Sequence, residues 1–254
     1  MTQQPAPADL AAETLKAVAE STERLLRTVA ELTPEQIAEP SGLPGWTRGH
    51  VLAHVARNAD SLVNLLETAR TGVPIPQYPS EAAREEGIQQ GAPRPPAEQL
   101  ADLAASAERF AAAAAELPAE AWSAELTHRH GYTFPAWEIP EKRLGELEFH
   151  HVDLAAGYTP AHWPAGFAAE QFGWLVERFT GRDGVPAVEL VSDDTADRGA
   201  IGAGGPAGLR VEGPLRALTA WLSGRSNGDG LQVHTADGHL ADPRAALPVL
   251  PPMG

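Results

Sequence analysis

Apolar residues recur at helical spacing over four long stretches of this chain, with proline- and glycine-rich breaks between them. From about Ala8 to Leu32, the residues Leu10, Leu15, Val18, Leu25 and Val29 fall near one face of a helix. Thr47 is a fitting N-cap for RGHVLAHVARNADSLVNLLETARTG, where Val51, Val55, Leu62 and Leu66 share a face and Gly72 supplies the stop. A third helix is expected from near Pro96 through the alanine run at 111–115, and a fourth, EKRLGELEFHHVDLAAG, ends at Gly157. Amphipathic helices of this kind bury their stripes against one another. The expected fold of residues 1–158, after a tail of about eight residues, is therefore a four-helix bundle.

After Pro160 the pattern changes. One more helix, PAGFAAEQFGWLVERF, precedes three β-prone runs, VPAVELV, GLRVEG and LQVHTA, with amphipathic PLRALTAWLSG between the last two. Mixed strand and helix signals make residues 159–254 a smaller α+β domain in a chain that is mainly α. A short helix, SEAAREEGIQQ, capped by Ser80, is expected within the proline-interrupted connection before the third long helix.

Charge and composition exclude several functions. The chain has 34 Asp and Glu against 19 Lys and Arg, a formal charge of −15, and no basic cluster, so a nucleic-acid partner is not expected. No apolar run approaches the roughly 20 residues of a membrane span. The start, MTQQPAPADLAAE, lacks the basic and apolar regions of a signal peptide, and the expected location is cytoplasmic. The sequence specifies no oligomeric state. It contains no cysteine, which removes disulfides, thiolate metal sites and a cysteine nucleophile. Any thiol chemistry must use a thiol brought from outside.

Helix four carries the most informative spacing. Glu146 and His150, four residues apart, stand on one face, and Arg143 and Asp153 extend the same stripe. Such a stripe alone also suits a solvated helix face. His54, on the apolar flank of helix two, suits a hydrogen-bonded core histidine equally well. If helices two and four are neighbours, His54, Glu146 and His150 converge, and two histidines with one carboxylate form a catalytic zinc set with an open fourth position. His50 offers a rival His-x-x-x-His pair but lies near the helix mouth. Asp153 is better suited to orienting an imidazole than to binding metal. His128 and His130 flank Arg129 in a loop and are read as exposed rather than as a second metal site. Asp193, Asp194 and SNGDG are read as turns, and Trp46 as a staple for helix two. No G-x-G-x-x-G, Walker or G-x-S-x-G element supports a nucleotide cofactor or serine hydrolysis.

The segment LPGWTRGHVLAHVARNADSLVNLL, with PIPQYPSEAAREEGI, RLGELEFHHVDL and the late AWLSGRSNGDGL, closely resembles the mycothiol-dependent maleylpyruvate isomerases, part of the DinB-like group of metal-binding four-helix bundles. The resemblance spans nearly the whole chain. It implies one divalent metal ion held by His54, Glu146 and His150, and a catalytic arginine in the GRSNGDG element, Arg225. It also implies mycothiol as the external low-molecular-weight thiol and maleylpyruvate as the small-molecule substrate, isomerised to fumarylpyruvate in gentisate breakdown. Zinc with an open position suits activation of such a thiol. The same metal and thiol would equally serve a mycothiol S-transferase acting on another electrophile. A non-catalytic bundle with a structural metal is the third reading, and the open three-ligand set argues against it.

Overall fold

Caps and breakers set the element boundaries. In a computed structural model, which describes residues 5–203, 205 and 207–252, α1 (Pro7–Ala30) opens on a proline whose missing N–H has no helical partner to lose. The helix therefore starts within the expected tail, of which residues 1–4 lie outside the described residues. A capping box of Thr33 and Gln36 starts the short α2 (Pro34–Ala38), and a second, of Thr47 and His50, starts α3 (Arg48–Thr71). Gly72 ends α3 in the left-handed region at φ 73°. Ser80 caps α4 (Glu81–Gly91), and Pro96 opens α5 (Pro96–Ala115). A hairpin of β1 (Glu125–Thr127) and β2 (Thr133–Pro135) then leads into α6 (Ile139–Asp153).

The chain divides into two compact units after Gly157. In the first, α1, α3, α5 and α6 form a four-helix ring in which α3 packs on α5 and α6, and α1 on both of the same helices. The short α4 lies against α3 as well. With these neighbours, α3 buries residues around much of its circumference, including Leu52, Val55, Ala56, Ala59 and Leu66. The single stripe expected for it understates this burial, because half-buried and small residues carry little periodicity. In the first unit, α2 and the β1–β2 hairpin escaped the sequence. Five residues are too few for α2 to show a helical period, and the hairpin, residues 125–135, encloses the His128–His130 segment that the sequence placed in a loop.

The second unit holds α7 (Ala165–Phe179), β3 (Val188–Ser192), β4 (Arg198–Ile201), β5 (Leu209–Gly213), α8 (Leu215–Leu222), β6 (Gln232–Thr235), β7 (Leu240–Ala241) and α9 (Pro243–Ala246). Its sheet runs β4-β3-β5-β6-β7, with β3 and β5 parallel and every other pair antiparallel. Val188, Leu190, Val211 and Val233 meet Phe172, Leu175, Phe179, Leu218 and Leu222 in one core. The β-prone runs became β3, β5 and β6. The edge strands β4 and β7 were missed because RGAI and a two-residue strand have almost no apolar alternation. Among the described residues, no helix is long and apolar enough to cross a membrane.

The start of α3 is held by unusually close packing. A Cβ on Gly49 would lie 2.1 Å from the Ala92 carbonyl oxygen. Gln99, 1% exposed, donates to the carbonyls of Gly91 at 2.8 Å and Ala92 at 3.2 Å beside it. Gly49→Ala should force the backbones apart and destabilise the protein by ~1–3 kcal/mol or more. The expected reading is a lower urea midpoint, with native helix content retained in buffer.

Candidate metal centre

Two arginines set the register between α3 and α6. Arg48, the first residue of α3, donates through Nε to the Leu154 carbonyl at 2.7 Å and through Nη2 to the Ala155 carbonyl at 3.0 Å. The start of α3 therefore lies beside the end of α6, and the two helices run in opposite directions. Further along, Arg143 of α6, 1% exposed, donates through Nη1 to the Val55 carbonyl at 2.8 Å and to Asn58 Oδ1 at 3.0 Å. Between these clamps lie His54 on α3 and the i, i+4 pair Glu146 and His150 on α6.

The three side chains meet. His54 Nε2 is 2.9 Å from Glu146 Oε2 and 3.0 Å from His150 Nε2, and His150 Nε2 is 3.2 Å from the same carboxylate oxygen. Among the described residues, this is the group of three or more metal-ligating side chains whose donor atoms converge, all within 4.8 Å of one another. Tetrahedral zinc, with bonds of about 2.0–2.2 Å, places neighbouring donors about 3.3–3.5 Å apart. The observed separations have to open by only a few tenths of an ångström. Two imidazoles and one carboxylate also match the ligand chemistry of a catalytic zinc site, so the residues fit the ion.

Electrostatics within the cluster are strongly coupled. Burial pushes His54 below its ordinary pKa, and the nearby charges of His150 and Arg84 add to the effect against the opposing carboxylate of Glu146. Burial also opposes charge on His150, but hydrogen bonds and charge from Asp153 and Glu146 outweigh it and raise the group to about 9. Burial would raise Glu146, yet the hydrogen bonds and charges of His150 and His54 hold its carboxyl well below the usual range. Glu146 and His150 therefore each favour the charged form of the other. A divalent cation at these donors would compete with protons for them. Asp153, 5% exposed, lies with Oδ2 at 2.9 Å from His150 Nδ1 and turns the opposite nitrogen toward the cluster, the orienting contact expected of it.

The rival candidates have other partners. His50 Nδ1 is 2.7 Å from Thr47 Oγ1 within the helix cap, and its Nε2 lies 3.3 Å from Gln89 Oε1. His128 stacks on Tyr132 at 4.5 Å and meets the His130 ring edge-on, outside the converging group. Asp194 accepts from the Leu215 amide at 2.9 Å, and Ser226 Oγ from the Gly228 and Asp229 amides, so both acidic segments are turns. Arg225, just after α8, donates through Nη1 to the Ser223 carbonyl at 2.7 Å, the contact of a cation at a helix C-terminus. Trp46, expected only as a staple, lies edge-on to His54 with ring centroids 5.5 Å apart. Two residues beside the cluster carried no spacing signal. Arg84 Nη2 is 3.4 Å from His54 Nδ1, and its guanidinium lies 5.9 Å from the centre of the Tyr78 ring.

The profile of the mycothiol maleylpyruvate isomerase N-terminal domain matches residues 18–155. Two solved structures share the fold with a TM-score of 0.83. One is the crystal structure of the mycothiol-dependent maleylpyruvate isomerase, 30% identical to this chain, and the other is a histidine-to-alanine variant, 29% identical. Each comparison covers 94% of this chain and 98% of the other. No curated protein sequence matches the chain.

Alanine at His54, Glu146 or His150 should each reduce bound divalent metal well below one ion per chain, measured by elemental analysis after dialysis. His50→Ala should keep the metal, because that ring belongs to the helix cap. Asp153→Asn should weaken metal affinity by about 10- to 100-fold in chelator competition without abolishing binding. Full stoichiometry in all three alanine variants would contradict the assignment.

Proposed function

The chain belongs to the mycothiol-dependent maleylpyruvate isomerase family, and from that premise we propose that it is a zinc- and mycothiol-dependent cis–trans isomerase converting maleylpyruvate to fumarylpyruvate, a step of gentisate breakdown. The observation that carries the reading is the convergence of His54, Glu146 and His150 in a chain with no cysteine. Turning a cis double bond into a trans one is simplest by adding a nucleophile, rotating about the resulting single bond and expelling it. A thiolate adds and departs readily, and here it must come from outside.

Mycothiol would supply the thiolate: addition of its sulfur to one olefinic carbon of maleylpyruvate would move the π pair into the conjugated carbonyl and leave a single bond free to rotate, and return of that pair with departure of the thiolate would give the trans geometry without consuming the thiol. Zinc held by His54, Glu146 and His150 would supply the Lewis acidity that lets a thiol ionise near neutral pH. Asp153 fixes the ring of His150 through Nδ1, and the Trp46 ring packs edge-on against His54. Arg225 is assigned to a substrate carboxylate, for which a planar, permanently charged guanidinium is suited.

Maleylpyruvate absorbance should decay with mycothiol present and be nearly unchanged without thiol, with glutathione as the specificity control. Rapid isomerisation without any thiol would overturn the mechanism. Consumption of mycothiol by another electrophile, with maleylpyruvate untouched, would move the assignment to an S-transferase. Arg225→Ala should lower kcat/KM by an amount equivalent to about 2–5 kcal/mol while leaving bound metal unchanged.

A further inference from the structure

A metal-binding imidazole normally donates its second N–H to a carboxylate, carbonyl or water, which fixes the ring. His150 follows this rule through Asp153. His54 does not: the group at its Nδ1 is the guanidinium of Arg84, itself a donor, at 3.4 Å. Without metal the pairing is consistent, because the ring can keep a proton on Nε2, facing Glu146, and accept from Arg84 at Nδ1. With Nε2 committed to a metal ion, the ring proton moves to Nδ1. Two donors then face each other across 3.4 Å, and among the described residues no protein acceptor bonds either of them there.

Arg84 is also a cation without an ion pair. No carboxylate among the described residues lies within 4.0 Å of its guanidinium, although acidic residues outnumber Lys and Arg 34 to 19 in the chain. Glu81, one turn earlier on α4, is taken by Arg129 at 2.7 Å. Glu146 is engaged by both histidines, and Asp153 by His150. The nearby Tyr78 ring offers its face rather than an anion. Buried Arg143 adds a second positive charge next to Glu146. A divalent ion would leave this end of the bundle with surplus positive charge and two unsatisfied donors aimed at one place.

We propose that Arg84 and His54 Nδ1–H together bind one carboxylate of the substrate, a single oxygen accepting from both. Oxygen–nitrogen distances of about 2.8–2.9 Å to each donor fit a 3.4 Å separation once the Arg84 N–H turns from the ring nitrogen toward that oxygen. Arg84 is then a substrate-binding residue for an anionic enoate, set beside the reacting centre by the cap at Ser80 that starts α4. This assignment rests on the isomerase reading for the identity of the anion. The chemistry alone requires only a carboxylate.

The test uses the full-length, zinc-loaded protein and maleate, a stable cis-dicarboxylate, as probe. Calorimetry should show maleate binding, weakened about 10- to 100-fold by Arg84→Gln and partly restored by Arg84→Lys, with one metal per chain in all three proteins. In the wild type, maleate should also move the His54 Nδ1–H resonance downfield in nitrogen-edited NMR, and removing zinc should abolish that shift. Unchanged maleate affinity in Arg84→Gln with metal intact overturns the proposal, as does a zinc-loaded wild type that binds no maleate. Arg84-dependent maleate binding with the zinc-dependent shift, in a protein that does not turn over maleylpyruvate, sustains the carboxylate site and removes the isomerase reading. Normal turnover with an unchanged KM for Arg84→Gln does the reverse.

Discussion

The buried guanidinium of Arg143 is the contact on which the rest of the first unit depends. Arg143, about one turn before Glu146 on α6, donates across to the carbonyl of Val55, the residue after His54, and to the Asn58 side chain one turn further along α3. Burial lowers its pKa to about 10, so it remains charged at neutral pH, and the neighbouring carboxylate of Glu146 helps compensate that charge. A one-residue slip between the helices would translate α3 by about 1.5 Å and rotate it by about 100°, carrying His54 out of reach of the pair on α6. Apolar packing alone tolerates such slips poorly but does not forbid them. A hydrogen-bonded cation that loses its partners when the register changes does, since leaving it uncompensated costs several kcal/mol.

The same logic operates on the other side of α6. Glu148, 1% exposed, is hydrogen-bonded by Ser21 and by Arg24 of α1, the latter at 2.6 Å, and His151 Nε2 lies 2.8 Å from Thr28 Oγ1. Residues two apart on a helix point in nearly opposite directions, so Glu146 faces α3 while Glu148 faces α1. Helix α6 thus presents two polar faces to two neighbours, with Leu144 and Leu147 in the core. Each face is satisfied only in one orientation. This explains why a helix with such a weak apolar stripe is buried, and why adjacent histidines, His150 and His151, have unrelated surroundings.

The chain is acidic overall, yet two arginines border the cluster. Arg84 and Arg143 approach it from different helices, and the acidic groups closest to it are already engaged with imidazoles. Net charge describes the surface as a whole and says little about which charges gather around one cluster.

Sequence alone determined what local rules govern. Helix caps at Thr47 and Ser80, the stop at Gly72, the four long helical periods and the i, i+4 pair of Glu146 and His150 all follow from interactions within a few residues, and all were legible. The absence of cysteine, a matter of composition, dictated that any thiol must be external. The partner of that pair was legible only conditionally, because His54 reaches it across 92 residues of sequence and no periodicity reports which helices are neighbours. Short elements such as α2 and the β1–β2 hairpin contain too few residues to express a period. Arg84 was invisible for a stronger reason. Its position against His54 comes from the packing of α4 on α3, and its lack of a carboxylate partner is a property of everything around it. Spacing can place a residue on a face, but only the assembled neighbours decide which charges are neutralised and which remain available to a ligand.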